Sequence, residues 1–179
     1  MKTPLPPVFQ LEVSLRHIEP RIWRRLLVPG DATLAELHAI IQIAFGWNNS
    51  HLHEFRLGEA RYGMASPEDP ELLDEKAYRL ADLLAAKLRC EYEYDFGDGW
   101  EHDVVVEEVA AADHRVRVSC LEGARAAPPD DCGGPLRYGE IVRALRKPRS
   151  KAAREFIEWY GEGFDPEAFD LDEINRSLR

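Results

Sequence analysis

The chain has 179 residues, 45% of them hydrophobic, and a formal net charge of -10 at pH 7. This length and composition are typical of one globular domain rather than of a disordered protein. The acidic balance disfavours non-specific binding to nucleic acid or anionic membranes, and no stretch approaches the roughly 20 apolar residues of a transmembrane helix. The three cysteines are expected to be reduced thiols. We therefore expect one cytoplasmic domain over residues 1–179, without a membrane partner.

The N-terminal part of the sequence predicts two strands, a helix and a third strand. Apolar and polar residues alternate over Phe9–Leu15, and the stretch Arg21–Gly30 is rich in strand-forming residues. Thr33 and Glu36 form a capping box, and apolar residues then recur at helical spacing until a glycine ends the helix. A strand is expected at His51–Leu57, which would place both of its histidines on one face.

The C-terminal part predicts a hairpin, one more strand and several helices. The segment Cys90–Val109 has the pattern of two strands joined by a turn, and Val116 and Val118 indicate a further strand. A long connection rich in glycine and proline follows over Glu122–Pro135, and apolar residues beyond it recur at helical spacing. Strands come first and helices last, which predicts an α+β domain with a mainly antiparallel sheet and a helical C-terminal region.

The hairpin sequence YEYDFGDGWEHD predicts that aromatic rings gather on one face. With a three-residue loop at Gly97–Gly99, Phe96 lies opposite Trp100 and Tyr94 lies opposite His102. The other face then carries acidic side chains directly opposite one another, which is destabilising by up to about 1 kcal/mol per pair. In this register the acidic pairs are Asp95 with Glu101 and Glu93 with Asp103.

Three explanations for the acidic face remain open at this stage. Solvent and salt would screen exposed charges. The nearby arginines, Arg21, Arg24 and Arg25, would neutralise them from within the fold. A divalent metal would also suit clustered carboxylates that lie near histidines. The candidate histidine ligands are His51, His53 and His102.

Five segments resemble the plasmid pRiA4b ORF-3-like family, also labelled transposon passenger TnpR-like. The segments are PRIWRRLLVPGDATLAELHAIIQIAFGW, SHLHEFRLG, YEYDFGDGWEHDVVVE, PPDDCGGP and FDPEAFDLDEINRSL. They occur in the order and spacing of that family and span almost the whole chain. The resemblance implies an α+β domain with a strongly curved sheet, found in plasmid- and transposon-associated and other prokaryotic proteins. It implies no established biochemical activity.

The label TnpR-like would suggest a resolvase, but the sequence does not show the residues of one. A serine recombinase places a nucleophilic serine among closely spaced arginines near an N-terminal strand. Ser14 and Arg16 resemble that arrangement only approximately, and both residues belong to a regular amphipathic strand pattern. Recombinase activity is therefore not expected.

The leading functional hypothesis is a non-catalytic binding or accessory module for an unknown ligand or protein partner. Its pocket would be acidic, lined by histidine and tryptophan, and closed by the loop that carries two adjacent aspartates. The candidate pocket residues are His51, His53, Asp95, Asp98, Trp100, Glu101, His102, Asp130 and Asp131. No catalytic residue is assigned and no cofactor is required, although a divalent metal would suit these residue types.

Two alternatives come from other functional classes. In a metal-dependent hydrolase or nuclease, the carboxylates would hold the ion and activate water, and at least three polar groups would converge on one point. In a DNA-binding accessory protein of a mobile element, the arginines of residues 21–25 and 143–154 would contact phosphates, and affinity would fall steeply with salt.

Overall fold

The chain folds around one large β-sheet. The computed structural model describes residues 5–84, 88–112 and 114–179, and within them no helix is both long and apolar enough to cross a bilayer. The strands are β1 (Val8–Leu15), β2 (Trp23–Pro29), β3 (His53–Leu57), β4 (Ala60–Gly63), β5 (Leu73–Asp74), β6 (Arg89–Tyr94), β7 (Trp100–Ala110) and β8 (Ser119–Ala124). The helices are α1 (Leu34–Phe45), α2 (Leu80–Leu83), α3 (Gly134–Leu145), α4 (Lys151–Tyr160) and α5 (Leu171–Ser177).

The sheet has the strand order β5-β4-β3-β6-β7-β1-β2-β8. Neighbouring strands are antiparallel except for β4 and β5, so the sheet is mixed. Register shifts at Gln10/Leu11 and Arg25/Leu26 mark bulges, which bend a strand and increase its local twist. The predicted α+β class and the predicted pairing of the first two strands are confirmed.

Helix α1 begins and ends as its sequence predicts. The Thr33 hydroxyl accepts a hydrogen bond from the Glu36 amide at 3.2 Å, and the Glu36 carboxylate accepts one from the Thr33 amide at 2.7 Å. Gly46 ends the helix in the left-handed region, with φ of 71°. The apolar face of α1, which includes Leu37 and Ile41, belongs to the same buried core as the inward-facing residues of the sheet.

The hairpin of β6 and β7 has a longer loop than the sequence analysis predicted. Tyr94 pairs with Trp100 and Tyr92 with His102, so the predicted register is wrong by two residues. Asp95 leaves the strand with φ of 56°, and Phe96 lies in the loop with its side chain half exposed. A shift of two residues keeps every side chain on its face, and the rings within the strands therefore remain together.

Two other strand predictions were wrong in their bounds. The strand predicted around Val116 and Val118 begins only at Ser119, where β8 pairs with β2. Strand β3 begins at His53, so His51 lies in the preceding loop and does not share a strand face with it.

Helix α5 covers β8 at one edge of the sheet. The Asn175 side-chain oxygen accepts a hydrogen bond from the Cys120 amide, and its side-chain nitrogen donates to the Cys120 carbonyl, both at 2.8 Å. β8 is the edge strand of the sheet formed by the described residues, and this pairing satisfies backbone groups on its outer side.

Candidate functional site

Three loops meet beside the end of the β6–β7 hairpin. They comprise residues 46–52, 95–99 and 125–133. The Trp47 indole nitrogen donates a hydrogen bond to the Pro128 carbonyl at 2.8 Å, and the Asn48 amide donates to the Asp130 carboxylate at 3.0 Å. These bonds fix the long connection after β8 against the segment that follows α1.

The same connection is also fixed to the hairpin loop. The Gly133 amide donates to the Asp98 carboxylate at 2.9 Å. Gly134 has φ of 79°, and a Cβ atom there would lie only 2.4 Å from the Asp98 carbonyl oxygen. The approach of the two backbones therefore requires glycine, and Asp98 serves to hold the loops together.

His51, Asp95 and Asp131 converge at the junction of these loops. His51 Nε2 lies 3.0 Å from Asp131 Oδ1 and 3.6 Å from Asp95 Oδ2, and one ligand atom from each residue lies within 4.8 Å of the others. Nitrogen and oxygen ligands about 2.1 Å from one ion are about 3–3.5 Å apart at tetrahedral or octahedral angles. The observed spacing is close to that of a metal-ligand set.

The local backbone explains the position of Asp95 and His51. Asp95 Oδ1 accepts hydrogen bonds from the amides of Gly97 and Asp98, at 3.0 Å and 3.3 Å, which leaves Oδ2 directed toward His51. The His51 ring lies edge-on to Tyr94, with ring centroids 5.7 Å apart. The side chains of Asp95 and His51 are thus oriented before any ligand binds.

Asp130 adds a second acidic group next to the cluster. Its Oδ1 is buried and forms no hydrogen bond within the described part of the chain. His51 Nε2 is also buried, and its 3.0 Å contact with Asp131 lacks hydrogen-bond geometry. Burial raises the pKa of Asp130, and the nearby carboxylates of Asp131 and Asp95 raise it further. The Asn48 amide and His51 oppose this shift without cancelling it. A cation at this point would relieve both the burial of the carboxylate and the repulsion among its neighbours.

His53, which the sequence analysis grouped with His51, lies in a separate buried network. Its Nε2 is 2.7 Å from Glu75 Oε2, and its ring stacks on His38 with centroids 3.4 Å apart. His38 also bonds the Tyr92 hydroxyl at 2.8 Å. These groups satisfy one another inside the core, and the structure does not bring His53 to the cluster.

Trp100, His102 and Glu101 are also outside the cluster. Trp100 and His102 are fully buried and pack around Trp47, with centroids 6.1 Å and 5.3 Å from it. Burial lowers the pKa of His102 to about 3, so this ring is neutral in the fold. Glu101 lies on the opposite face of the sheet, where it forms an ion pair with Arg16.

The acidic face of the hairpin is neutralised from within the fold. Arg16 Nε donates to Asp103 at 2.9 Å, its Nη2 donates to Glu91 at 2.8 Å, and its Nη1 lies 3.4 Å from Glu101. In the observed register Glu91 is directly opposite Asp103, and Glu93 is opposite Glu101. The second of the three explanations therefore holds, although its main residue, Arg16, was not among the arginines predicted for it.

The three predicted arginines have different roles. Arg25 pairs with Glu107, at 2.6 Å between Nε and the carboxylate, and with Glu122. Arg21 pairs with Glu12. Arg24 faces the core instead, where its guanidinium donates to the Ala44 carbonyl at 2.9 Å, so its assignment to the acidic face was wrong. Sequence alternation along β2 would have placed Arg24 and Arg25 on opposite faces.

The described residues form an α+β protein with a mixed eight-stranded sheet. The junction of the three loops gives it a candidate metal site at the end of the β6–β7 hairpin. The chain belongs to the plasmid pRiA4b ORF-3-like family, whose model matches residues 7–173. It is 35% identical over 175 residues to the uncharacterized protein y4hQ of Sinorhizobium fredii, a match that covers 96% of this chain and 90% of that protein.

A solved structure has the same fold. The crystal structure of MM3350, a protein of unknown function from Methanosarcina mazei Go1, is similar with a TM-score of 0.87 at 33% identity. The match covers 94% of this chain and 98% of that chain. Neither relative's name states an activity, so a function for this chain has to be inferred from its own residues.

Proposed function

We propose that the protein is a binding module that holds a divalent transition-metal ion with His51, Asp95 and Asp131. The observation that carries the proposal is the convergence of one ligand atom from each residue within 4.8 Å. One imidazole with two carboxylates suits Mn²⁺, Fe²⁺ or Zn²⁺ better than the all-oxygen sets preferred by Ca²⁺ and Mg²⁺. Asp130, beside them, supplies further negative charge.

The same ligand set supports a binding role. Three protein ligands do not complete a tetrahedral or octahedral shell, and the remaining positions are available to oxygen atoms from outside the chain. Asp95 has a side chain that is 10% exposed, whereas Asp131 is 65% exposed, so the open side of the site is the side of Asp131. A bound ion would thus connect the protein to an anionic ligand or to a carboxylate of a partner.

Calorimetric titration of chelator-treated, untagged protein with MnCl₂ and with ZnCl₂ tests the proposal. We expect one ion per chain, and we expect His51→Ala and Asp131→Asn each to weaken binding at least about tenfold, because each removes a direct ligand. His17→Ala is the matched control, since His17 is exposed and contacts Glu101 on the opposite face of the sheet. It should bind the ion like the unaltered protein.

Two results would overturn the proposal. One is a stoichiometry far below one ion per chain with either metal. The other is equal affinity in His51→Ala and His17→Ala. Thermal unfolding gives an independent reading, because an ion at 100 times its dissociation constant should stabilise the protein by about 2.7 kcal/mol.

A metal-dependent hydrolase is the second candidate, and the incomplete ligand set is the observation that favours it. An open coordination position can hold a water molecule and lower its pKa. The test is hydrolysis of bis(p-nitrophenyl) phosphate and p-nitrophenyl acetate by the Mn²⁺- and Zn²⁺-loaded protein. Hydrolysis that disappears in His51→Ala would support catalysis, whereas metal binding without turnover would support the binding module.

DNA binding and recombination are not part of the proposal. Arg24 is buried and Arg25 is paired with carboxylates, so these two guanidinium groups are engaged within the fold. The arginines of residues 143–154 are exposed, and phosphate contacts by this second cluster stay a prediction. Ser14, the approximate counterpart of a recombinase nucleophile, lies within β1 opposite Trp23 and Asp103. An association with plasmids or transposons would rest on the family name alone. It gives no evidence that residues of the site contact DNA.

A further inference from the structure

A second concave site lies away from the metal cluster. A cavity of about 320 Å³ opens between the β1–β2 connection, helix α3 and the segment that contains Pro166. Its walls include Ile18, Ile22, Tyr138 and Val142, of which the first three are buried. The volume is at the lower end of the range of small-molecule sites, about 300–1,000 Å³, which suits a ligand with a compact apolar body.

The polar side of this cavity is rich in guanidinium groups. Arg125, Arg143 and Arg146 line it together with only two acidic residues, Glu19 and Glu167. This local excess of positive charge is notable in a chain of net charge -10. The arginines would attract an anion to this cavity, although the chain as a whole is acidic.

Two of these arginines form no ion pair within the part of the chain that the structure describes. Among residues 5–84, 88–112 and 114–179, neither Arg143 nor Arg146 forms an ion pair, whereas Arg137 on the same helix pairs with Glu140 at 3.0 Å. Arg16 and Arg25 of the sheet are likewise paired. The cavity thus combines apolar walls with two guanidinium groups that can pair with a bound anion.

Two further donors are held beside them. Arg125 Nη1 donates to the Arg21 carbonyl at 3.2 Å, while its buried Nε lies 3.0 Å from the Glu167 carboxylate without hydrogen-bond geometry. Tyr138 is 3% exposed and lines the cavity. Burial raises the pKa of Tyr138, which keeps its hydroxyl protonated and able to donate.

We propose that this cavity binds a small organic anion with an apolar body, of the class of a medium-chain carboxylate. The apolar tail packs against Ile18, Ile22 and Val142, and the carboxylate accepts hydrogen bonds from Arg143 and Arg146. The proposal does not depend on metal binding, because none of the residues that line the cavity belongs to the cluster of His51, Asp95 and Asp131.

Calorimetric titration with sodium octanoate and with 1-octanol tests the proposal. We expect saturable binding of octanoate and at least about tenfold weaker binding of octanol, since hydrogen bonds to a charged partner are the stronger kind. The double variant R143A/R146A should lose at least about tenfold in octanoate affinity and little in octanol affinity. R149A/R154A is the matched control, because it removes the same charge from exposed arginines outside the cavity.

The proposal is supported if octanoate binds more weakly to R143A/R146A but not to R149A/R154A. The proposal is overturned if octanol binds as tightly as octanoate, if both double variants lose the same affinity, or if no saturable binding of octanoate is seen. Thermal unfolding of each variant confirms that a loss of affinity reflects the cavity and not a loss of folding, because all four substituted arginines are exposed.

Discussion

Arg16 shows how one side chain can make an otherwise repulsive arrangement stable. It contacts three carboxylates that belong to two neighbouring strands, Glu91 on β6 and Glu101 and Asp103 on β7. Its guanidinium offers a planar set of donors, which suits several acceptors at once. The residue lies at the end of a regular alternating strand, and its sequence position alone gives no sign of these distant partners.

The Arg16→Ala variant is expected to lower the free energy of unfolding by about 1–3 kcal/mol, because it removes charge-assisted hydrogen bonds and leaves like charges unopposed. Urea denaturation measures the change. Arg89→Ala is the control, because Arg89 is 63% exposed and lies 3.6 Å from the same Asp103, and it should change stability by no more than about 0.5 kcal/mol. Equal effects in the two variants would contradict the role given to Arg16.

At the scale of elements, the predictions from sequence succeeded where the pattern was regular over many residues. Strand β1 and helix α1 carry long apolar periodicities, and the cap of α1 is a local motif. The hairpin register failed because Asp95 adopts a left-handed conformation and closes a turn with the amides of Gly97 and Asp98. That turn competes with two more residues of strand, and alternation alone does not decide between them.

The candidate site was predictable from the sequence only in part. Asp130 and Asp131 lie in a long connection rich in glycine and proline, and the sequence indicated that this loop closes the pocket. Asp95 was predicted on a strand opposite Glu101, whereas the structure places it in the hairpin loop. His53, Trp100 and His102 were grouped with them because polar and aromatic side chains on a strand resemble a pocket wall. Which loops meet depends on contacts between distant segments, and these emerge only when the whole sheet is assembled.

The junction between the hairpin loop and α3 provides a test at this scale. Gly134→Ala should destabilise the protein by about 1–3 kcal/mol, because its Cβ would meet the Asp98 carbonyl and its φ of 79° disfavours a side chain. Gly139→Ala, in the same helix with open space around it, should instead stabilise by about 0.5–1 kcal/mol. Thermal unfolding of both variants checks this, and the same sign of change in both would refute the explanation.

At the scale of the whole molecule, buried ionisable groups couple folding to pH. Burial, with a further contribution from the neighbouring His53, lowers the pKa of His38 from 6.5 to about 4. Burial lowers the pKa of His102 from 6.5 to about 3. Both rings are therefore neutral in the folded protein at pH values at which the unfolded chain is protonated.

Stability should therefore decrease as the pH falls from about 6.5 toward 4. The unfolded state gains protons in this range and the folded state does not, so each histidine contributes a slope of up to about 1.4 kcal/mol per pH unit. Below a pH of about 4.5 stability continues to fall, because the pKa of Glu54 is lower in the folded protein than in the unfolded chain. Burial would raise this pKa, but hydrogen bonds from Arg61 and Arg56 outweigh the effect of burial and lower it. Urea denaturation at pH 7.5, 6, 5 and 4 measures the profile.

A matched variant isolates one of these groups. His38→Gln keeps a polar side chain but removes the titration, so its profile between pH 6.5 and 4 should be shallower than that of the unaltered protein. The position of the remaining slope then reports on His102. A stability that is constant across this range in both proteins would contradict the assignment of neutral buried rings.

The last helix also has a consequence for how copies of this chain behave together in solution. Asn175 forms hydrogen bonds with the amide and the carbonyl of Cys120. A strand from a second molecule would need these same backbone groups to pair with β8. At the far border, β5 spans only Leu73–Asp74, too short to template a neighbour. Neither edge of the sheet thus offers a long unpaired strand, which protects the folded molecule from edge-to-edge association with other copies.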